Sequence, residues 1–119
     1  MEIRPATIIC DIDGTLTWHV DSYHASMSSH QMELLSGTIE KLLEWEKKGY
    51  HIILLTGRKE SLRDVTIKQL SDVGIFYDQL IMGVGGGPRY LINDCKPNGD
   101  NSAYAFNIER NKGIVDINI

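Results

Sequence analysis

Two short apolar runs constrain this chain more than any other feature: Thr7-Ile8-Ile9-Cys10 and Tyr50-His51-Ile52-Ile53-Leu54-Leu55. The first stops on Asp11 and the second on Thr56. Near-continuous runs of this length fit strands buried on both faces, as parallel sheets require. A parallel pair needs a crossover of a dozen or more residues. Residues 38–48 provide one, because Ile39, Leu42, Leu43 and Trp45 make an apolar stripe with Glu40, Lys41, Glu44, Lys47 and Lys48 outside it. Thr38 or Ser36 can cap that helix, and Gly49 can end it.

The alternation continues along the chain. Over residues 61–73, Leu62, Val65, Leu70 and Val73 share a helical face, Ser61 with Asp64 resembles a capping box, and Gly74 is a natural stop. The pattern predicts further strands at Gln79–Met82, at Arg89–Asn93 ending on Asp94, and at Ala103–Ile108. The link 83–89 is too short for a crossover helix, though extended it could span roughly 23 Å, which leaves one sheet face without a covering helix there, to be covered by the apolar tail or a second subunit. Residues 17–36 lack apolar periodicity and read as a flap, too short for a cap domain. The apolar tail Ile114–Ile119 reads as an edge strand or a packing arm.

Composition sets the class. With 119 residues, 42% apolar and 24% charged, the chain reads as one soluble α/β domain over 1–119. A net charge of −4 gives no general pull toward nucleic acid or an anionic membrane. No apolar run is long enough to span a bilayer, and the amino terminus does not read as a secretory signal. Cys10 and Cys95 form no CxxC pair, so reduced thiols and a cytoplasmic setting are expected.

Polar residues gather where the strands end, which is where open parallel sheets bind ligands. Asp11-Ile12-Asp13-Gly14-Thr15 follows the first strand. Asp11 at the strand tip can face an electrophile, and a carboxylate nucleophile needs no deprotonation at neutral pH. Asp13, where the backbone turns at Gly14, can reach a leaving group. A calcium loop is excluded, since Gly14 stands fourth and Ser22 twelfth, where an EF-hand needs Gly sixth and Glu twelfth. Thr56-Gly57-Arg58 offers a hydroxyl, main-chain N–H groups and a guanidinium to a phosphate. Asn93-Asp94 ends the predicted fourth strand; Asp11, the Asp13 carbonyl and Asp94 together would offer three oxygens to a hard cation such as Mg²⁺.

With these motifs in this order, the chain resembles the haloacid dehalogenase-like (HAD) superfamily of phosphohydrolases over roughly residues 7–108. Asp11–Thr15 is similar to the family's first motif, Thr56 to its second and Asn93-Asp94 to its fourth. The resemblance implies a three-layer Rossmann-like parallel sheet in the order 5-4-1-2-3, without a cap. It also implies Mg²⁺-dependent, two-step phosphoryl transfer. Asp11 would be nucleophile, Asp13 general acid then base, Thr56, Gly57 and Arg58 substrate ligands, and Asp11, Asp13 and Asp94 the metal site. The third motif is a cation; Lys59, Arg89 and Lys96 are candidates, and Lys96 is favoured because only Cys95 separates it from Asp94.

The expected activity is phosphomonoester hydrolysis through an aspartyl phosphate. A small phosphorylated substrate such as a sugar phosphate is expected from similarity to short capsule-sugar phosphatases. A nucleotide or polynucleotide end phosphate is the alternative, since polynucleotide 3′-phosphatases share the first motif and the Ser/Thr-Gly-Arg pattern. A phosphotransferase and a non-catalytic phosphate-binding module are the remaining readings. Self-association, with one subunit's flap or tail closing another's site, is expected slightly over a monomer.

Overall fold

A computed structural model describes residues 4–119. Strand β1 is Thr7–Asp11, β2 is His51–Leu55 and β3 is Gln79–Ile81. They form a parallel sheet in the order β1-β2-β3, with Ile8 level with Ile52 and Leu54 level with both Cys10 and Leu80. Helix α1, Ser22–Ser26, lies within the flap; α2, Thr38–Lys47, links β1 to β2; α3, Arg63–Asp72, links β2 to β3 after a 3-10 turn at Glu60–Leu62. This is the α/β, Rossmann-like arrangement the sequence predicts, without a cap.

The helix termini differ from expectation in one respect. Neither long helix has a side-chain cap. Gly37, at φ 83°, starts α2, and the Thr38 hydroxyl instead donates to the buried Leu16 carbonyl. Ser61 and Asp64 form no capping box, because the 3-10 turn feeds directly into α3. Gly49 and Gly74 do take the left-handed conformation past the helix ends.

The register divides the sheet into unlike faces. Ile8, Cys10, Ile52, Leu54 and Leu80 point one way and share a core with Leu42, Trp45 and Leu70 from the helices. Ile9, Ile53, Leu55 and Ile81 point the other way, and Ile9 and Ile81 remain 52% and 43% exposed. The described residues therefore form two layers here, not three. The cause is the short link after β3, which holds no helix to lay on that face.

The chain beyond β3 departs most from expectation. Residues 89–93 and 103–108 are not strands, so the expected order 5-4-1-2-3 is present only as its 1-2-3 half. The segment forms an exposed arm instead. The tail folds back on its own chain beside α2: Ile114 is buried, Ile114 N donates to Ser36 O at 3.1 Å, and Lys48 Nζ donates to Ile119 O at 2.7 Å. It packs beside α2 on the covered side of the sheet. No helix among the described residues is long and apolar enough to cross a membrane.

Candidate active site

Asp11 ends β1, and the backbone turns at once. Gly14, at φ 89°, donates its N–H to Thr17 O at 2.7 Å, while Thr15 N and Leu16 N donate to Ile12 O. Only glycine takes that φ without strain. The turn buries Ile12 fully and leaves Asp11 and Asp13 partly exposed on either side of it. Both acids line an open cleft of about 830 Å³. The Thr15 hydroxyl lies 3.5 Å from Asp11 Oδ2.

Thr56, Gly57 and Arg58 line the same cleft from the end of β2. Thr56 is buried, and its Oγ1 accepts the Arg58 N–H at 3.1 Å. Arg58 is placed differently from a substrate clamp. Its guanidinium is buried, with Nε and Nη2 each donating to one Asp13 oxygen at 2.9 Å. Nη1 donates to Thr66 Oγ1 and Gln69 Oε1. The guanidinium is thus committed to fixing Asp13.

Thr66 and Gln69 hold Arg58 in place, and the sequence motifs do not mark them. Both are polar, and α3 was read for its apolar face, yet they are fully buried there. Gln69 also donates through Nε2 to the carbonyls of Ala25 and Met27, each at 3.1 Å. One buried amide therefore joins the flap, Arg58 and Asp13. The only signal in the sequence was their spacing of three, which puts them on one helix face.

Basic side chains also line the cleft. Arg89 Nη1 donates to Asp11 Oδ1 at 3.2 Å. Lys59, Arg110 and His19 also line it. Arg110 is brought in by the C-terminal chain, where Asn111 N donates to Gly14 O and Asn111 Oδ1 accepts from His19 N, both at 2.8 Å. A Cβ on Gly14 would stand 3.1 Å from Arg110 Cγ, so that glycine also admits the arginine. Nothing in the motifs marks a residue so distant in sequence.

Asp94 and Lys96 do not line the cleft. Both sit on the exposed arm, where Asp94 O accepts from the Ser102 hydroxyl and Lys96 N donates to Asp100 O. Their expected places depended on a fourth strand beside β1.

Two shifts in acidity reflect the local structure. Burial, then the charge of Asp11, pushes the Cys10 thiol up to about 12, which makes it an inert packing group. The His24 main-chain N–H, followed by its ring, holds Asp21 below the usual carboxylate range, as suits the N-cap of α1.

Among the described residues, no cluster of three or more His, Cys, Asp or Glu side chains is arranged for a metal. The available set is the Asp11 carboxylate and the Asp13 carbonyl, with Asp13's own carboxylate held by Arg58. That set fits Mg²⁺, which takes one or two carboxylates and keeps several waters. It does not fit a metal that needs nitrogen or sulfur ligands.

Paired aspartates at the end of the first parallel strand, with a Thr-Gly-Arg turn beside them, define a HAD-type phosphatase domain. Residues 5–85 match the family model of the polynucleotide kinase PNKP phosphatase domain. The chain belongs to that family. One solved structure, of a Pnkp1/Rnl/Hen1 complex, contains a chain 35% identical over 72% of this one, with a TM-score of 0.58. A second, of the Pnkp1/Rnl/Hen1 RNA repair complex, gives 38% identity over 65% and a TM-score of 0.55. This chain spans only 30% and 25% of those two chains. A crystal structure from Vibrio cholerae, 21% identical over 78% of this chain and 85% of its own, shows the fold alone at a TM-score of 0.53. No curated protein matches the chain.

Proposed function

We propose that this protein removes a terminal phosphate from a nucleotide or polynucleotide, with Asp11 as nucleophile. The observation that carries this reading is the charge of the cleft. A chain of net charge −4 gathers Lys59, Arg89 and Arg110 around two aspartates in an open, uncapped site. A small sugar phosphate needs one dianion balanced; further cations on an open rim suit a substrate carrying further phosphates. The family match supports the same choice over a sugar phosphate.

The chemistry follows from the placement of the acids. An Asp11 oxygen attacks phosphorus, and the bond to the leaving oxygen breaks as that oxygen takes a proton from the Asp13 carboxyl. Asp13, now a carboxylate, takes a proton from water as the water oxygen attacks the aspartyl phosphate. Inorganic phosphate leaves, and the Asp11 carboxylate is restored. Both Asp13 oxygens accept from Arg58, so one of those contacts must yield for the carboxyl to face the leaving group. We assign the charge-balancing role to Arg89, in contact with Asp11, in place of Lys96. Mg²⁺, held by Asp11 and the Asp13 carbonyl, would offset phosphate charge.

The test is hydrolysis of a 3′-phosphorylated oligonucleotide, a mononucleotide and a hexose phosphate, each with and without Mg²⁺. The reading expects Mg²⁺-dependent release from the oligonucleotide that Asp11→Asn abolishes. Faster release from the hexose phosphate would overturn the substrate assignment. Full activity in pure Asp11→Asn would overturn the mechanism.

A further inference from the structure

Three arginines line the cleft, and two of them are already engaged. Arg58 is forked onto Asp13, and Arg89 contacts Asp11. Arg110 is exposed and pairs with no acid among the described residues. It also lies outside residues 5–85, over which the chain matches its family, so the match gives it no role.

A strained turn carries Arg110 into the cleft. Asn111, at φ 65°, is the only non-glycine residue with positive φ among the described residues. Asparagine tolerates that region better than most side chains, and a residue stays there only where its surroundings dictate the backbone. Two elements dictate it here. Asn111 N donates to Gly14 O, in the turn that carries Asp13, and Asn111 Oδ1 accepts from His19 N, at the root of the flap. Three residues on, the bond from Ile114 N to Ser36 O fixes the chain again. The Arg110 stem consequently runs across Gly14. A Cβ on Gly14 would stand 3.1 Å from Arg110 Cγ, 3.8 Å from its Cδ and 3.7 Å from His19 Cβ.

The proposed mechanism gives the cleft a direction. Asp11 attacks phosphorus and Asp13 protonates the leaving oxygen, so the leaving group lies on the Asp13 side. Arg89 stands at Asp11, with the reacting phosphate. Arg110 crosses the residue next to Asp13, on the side of the leaving group. An unpaired guanidinium in that place is a planar fork for a second anion.

We propose that Arg110 binds a second phosphate of the substrate, the one carried on the far side of the leaving nucleoside. It thereby sets a preference for a nucleoside 3′,5′-bisphosphate or a longer strand over a nucleoside monophosphate. Asn111 is a positioning residue that aims Arg110 by joining the Asp13 turn to the flap. The direction of the cleft rests on the phosphatase reading; the attraction of Arg110 for a second phosphate does not.

The test compares a nucleoside 3′-monophosphate with the matching 3′,5′-bisphosphate in the presence of Mg²⁺, with loss of the 3′-phosphate read by chromatography. For the wild type, kcat/KM is expected to favour the bisphosphate about 10-fold or more, the factor that a charge-assisted hydrogen bond supplies. Arg110→Gln keeps a stem over Gly14 without the charge and is expected to abolish the preference. Arg110→Lys keeps a charge without the fork and is expected to retain part of it. Asn111→Gly accepts the same φ but lacks the oxygen that meets His19 N, and is expected to lose part of the preference with unchanged far-ultraviolet circular dichroism. Equal kcat/KM for the two compounds in the wild type overturns the proposal. So does an Arg110→Gln protein that loses the same factor on both, since Arg110 would then serve the reacting phosphate. Calorimetric binding of the same two compounds separates this proposal from the phosphatase reading. A wild type that releases no phosphate, yet binds the bisphosphate more tightly in a way that Arg110→Gln removes, sinks the phosphatase reading and leaves the second-phosphate site standing.

Discussion

Arg58 grips Asp13 with both arms of its guanidinium, one N–H to each carboxylate oxygen at 2.9 Å. The pair is nearly dry on the arginine side, where Thr66 and Gln69 take the remaining nitrogen. A fork of this kind fixes direction as well as charge. In the proposed mechanism, the aim of Asp13 as general acid then depends on a residue outside the reacting atoms.

Arg58→Lys tests that dependence. A lysine supplies charge but no planar fork, so Asp13 loses its orientation. Turnover on the phosphorylated oligonucleotide should fall on the order of 10²-fold, with KM changed much less. A KM effect with unchanged kcat would return Arg58 to the role of substrate ligand.

Gln69→Leu cuts the link between flap and acid. It leaves the Ala25 and Met27 carbonyls and one Arg58 N–H without their partner. Loss of a buried hydrogen-bonded group costs about 1–3 kcal/mol. Chemical denaturation should show that loss, and Gln69→Glu should restore the Arg58 contact but not the two flap bonds. Wild-type stability in Gln69→Leu would mean that water replaces the amide.

Arg89→Ala and Lys96→Ala rank the two cations. Arg89 touches Asp11, whereas Lys96 does not line the cleft. Arg89→Ala is expected to lower turnover about 10²-fold, in line with other removed charge stabilisers, and Lys96→Ala to cost less. The reverse order would restore the assignment made from the sequence.

The cysteines separate by burial. Cys10 is buried with its thiol pushed up to about 12, and Cys95 is exposed. At pH 8 an alkylating reagent should modify Cys95 alone in the native protein and both after denaturation, read by mass. A raised folded value means that the thiol's contribution to stability is full below its ordinary value near 9 and is lost as pH rises toward 12. Rapid native labelling of Cys10 would show that β1 opens locally.

The legible parts of this protein were those set by local pattern. The runs at Thr7–Cys10 and His51–Leu55 became β1 and β2, and Leu42, Trp45 and Leu70 entered the core. That Asp11, Asp13 and Thr56 would line one cleft was readable because open parallel sheets bind ligands at their strand ends. Arg58 was legible as a residue of the site but its fork onto Asp13 was not, since nothing in a tripeptide says which way a long side chain turns. Thr66 and Gln69 were hidden because a buried polar face looks like a solvated one. Residues 89–93 have strand composition, yet pairing depends on what the rest of the chain can reach, and that is not a local property.

The tail provides the last test. Gly113 and Gly37 both have positive φ, at 92° and 83°, where a side chain is strained in any surroundings. Here the surroundings are also closed. A Cβ on Gly113 would stand 2.5 Å from Ser36 O, and one on Gly37 would stand 2.6 Å from Val115 Cα. Each contact is backbone against a new carbon, so neither can be relieved by rotating a side chain. Gly113→Ala should therefore displace the Ile114 N–H from Ser36 O and lift buried Ile114 from the core. Strain and lost packing together should cost about 2–4 kcal/mol, read as a lowered denaturant midpoint with an unchanged slope. The same shift pulls Asn111 from Gly14 O and Arg110 from the cleft, so oligonucleotide KM should rise as well. Gly74→Ala is the control: it carries the strain of φ 80° with nothing within 4 Å, and should cost about 1 kcal/mol with KM unchanged. Equal losses in the two variants would show that backbone strain alone, and not the docking of the tail, accounts for the effect.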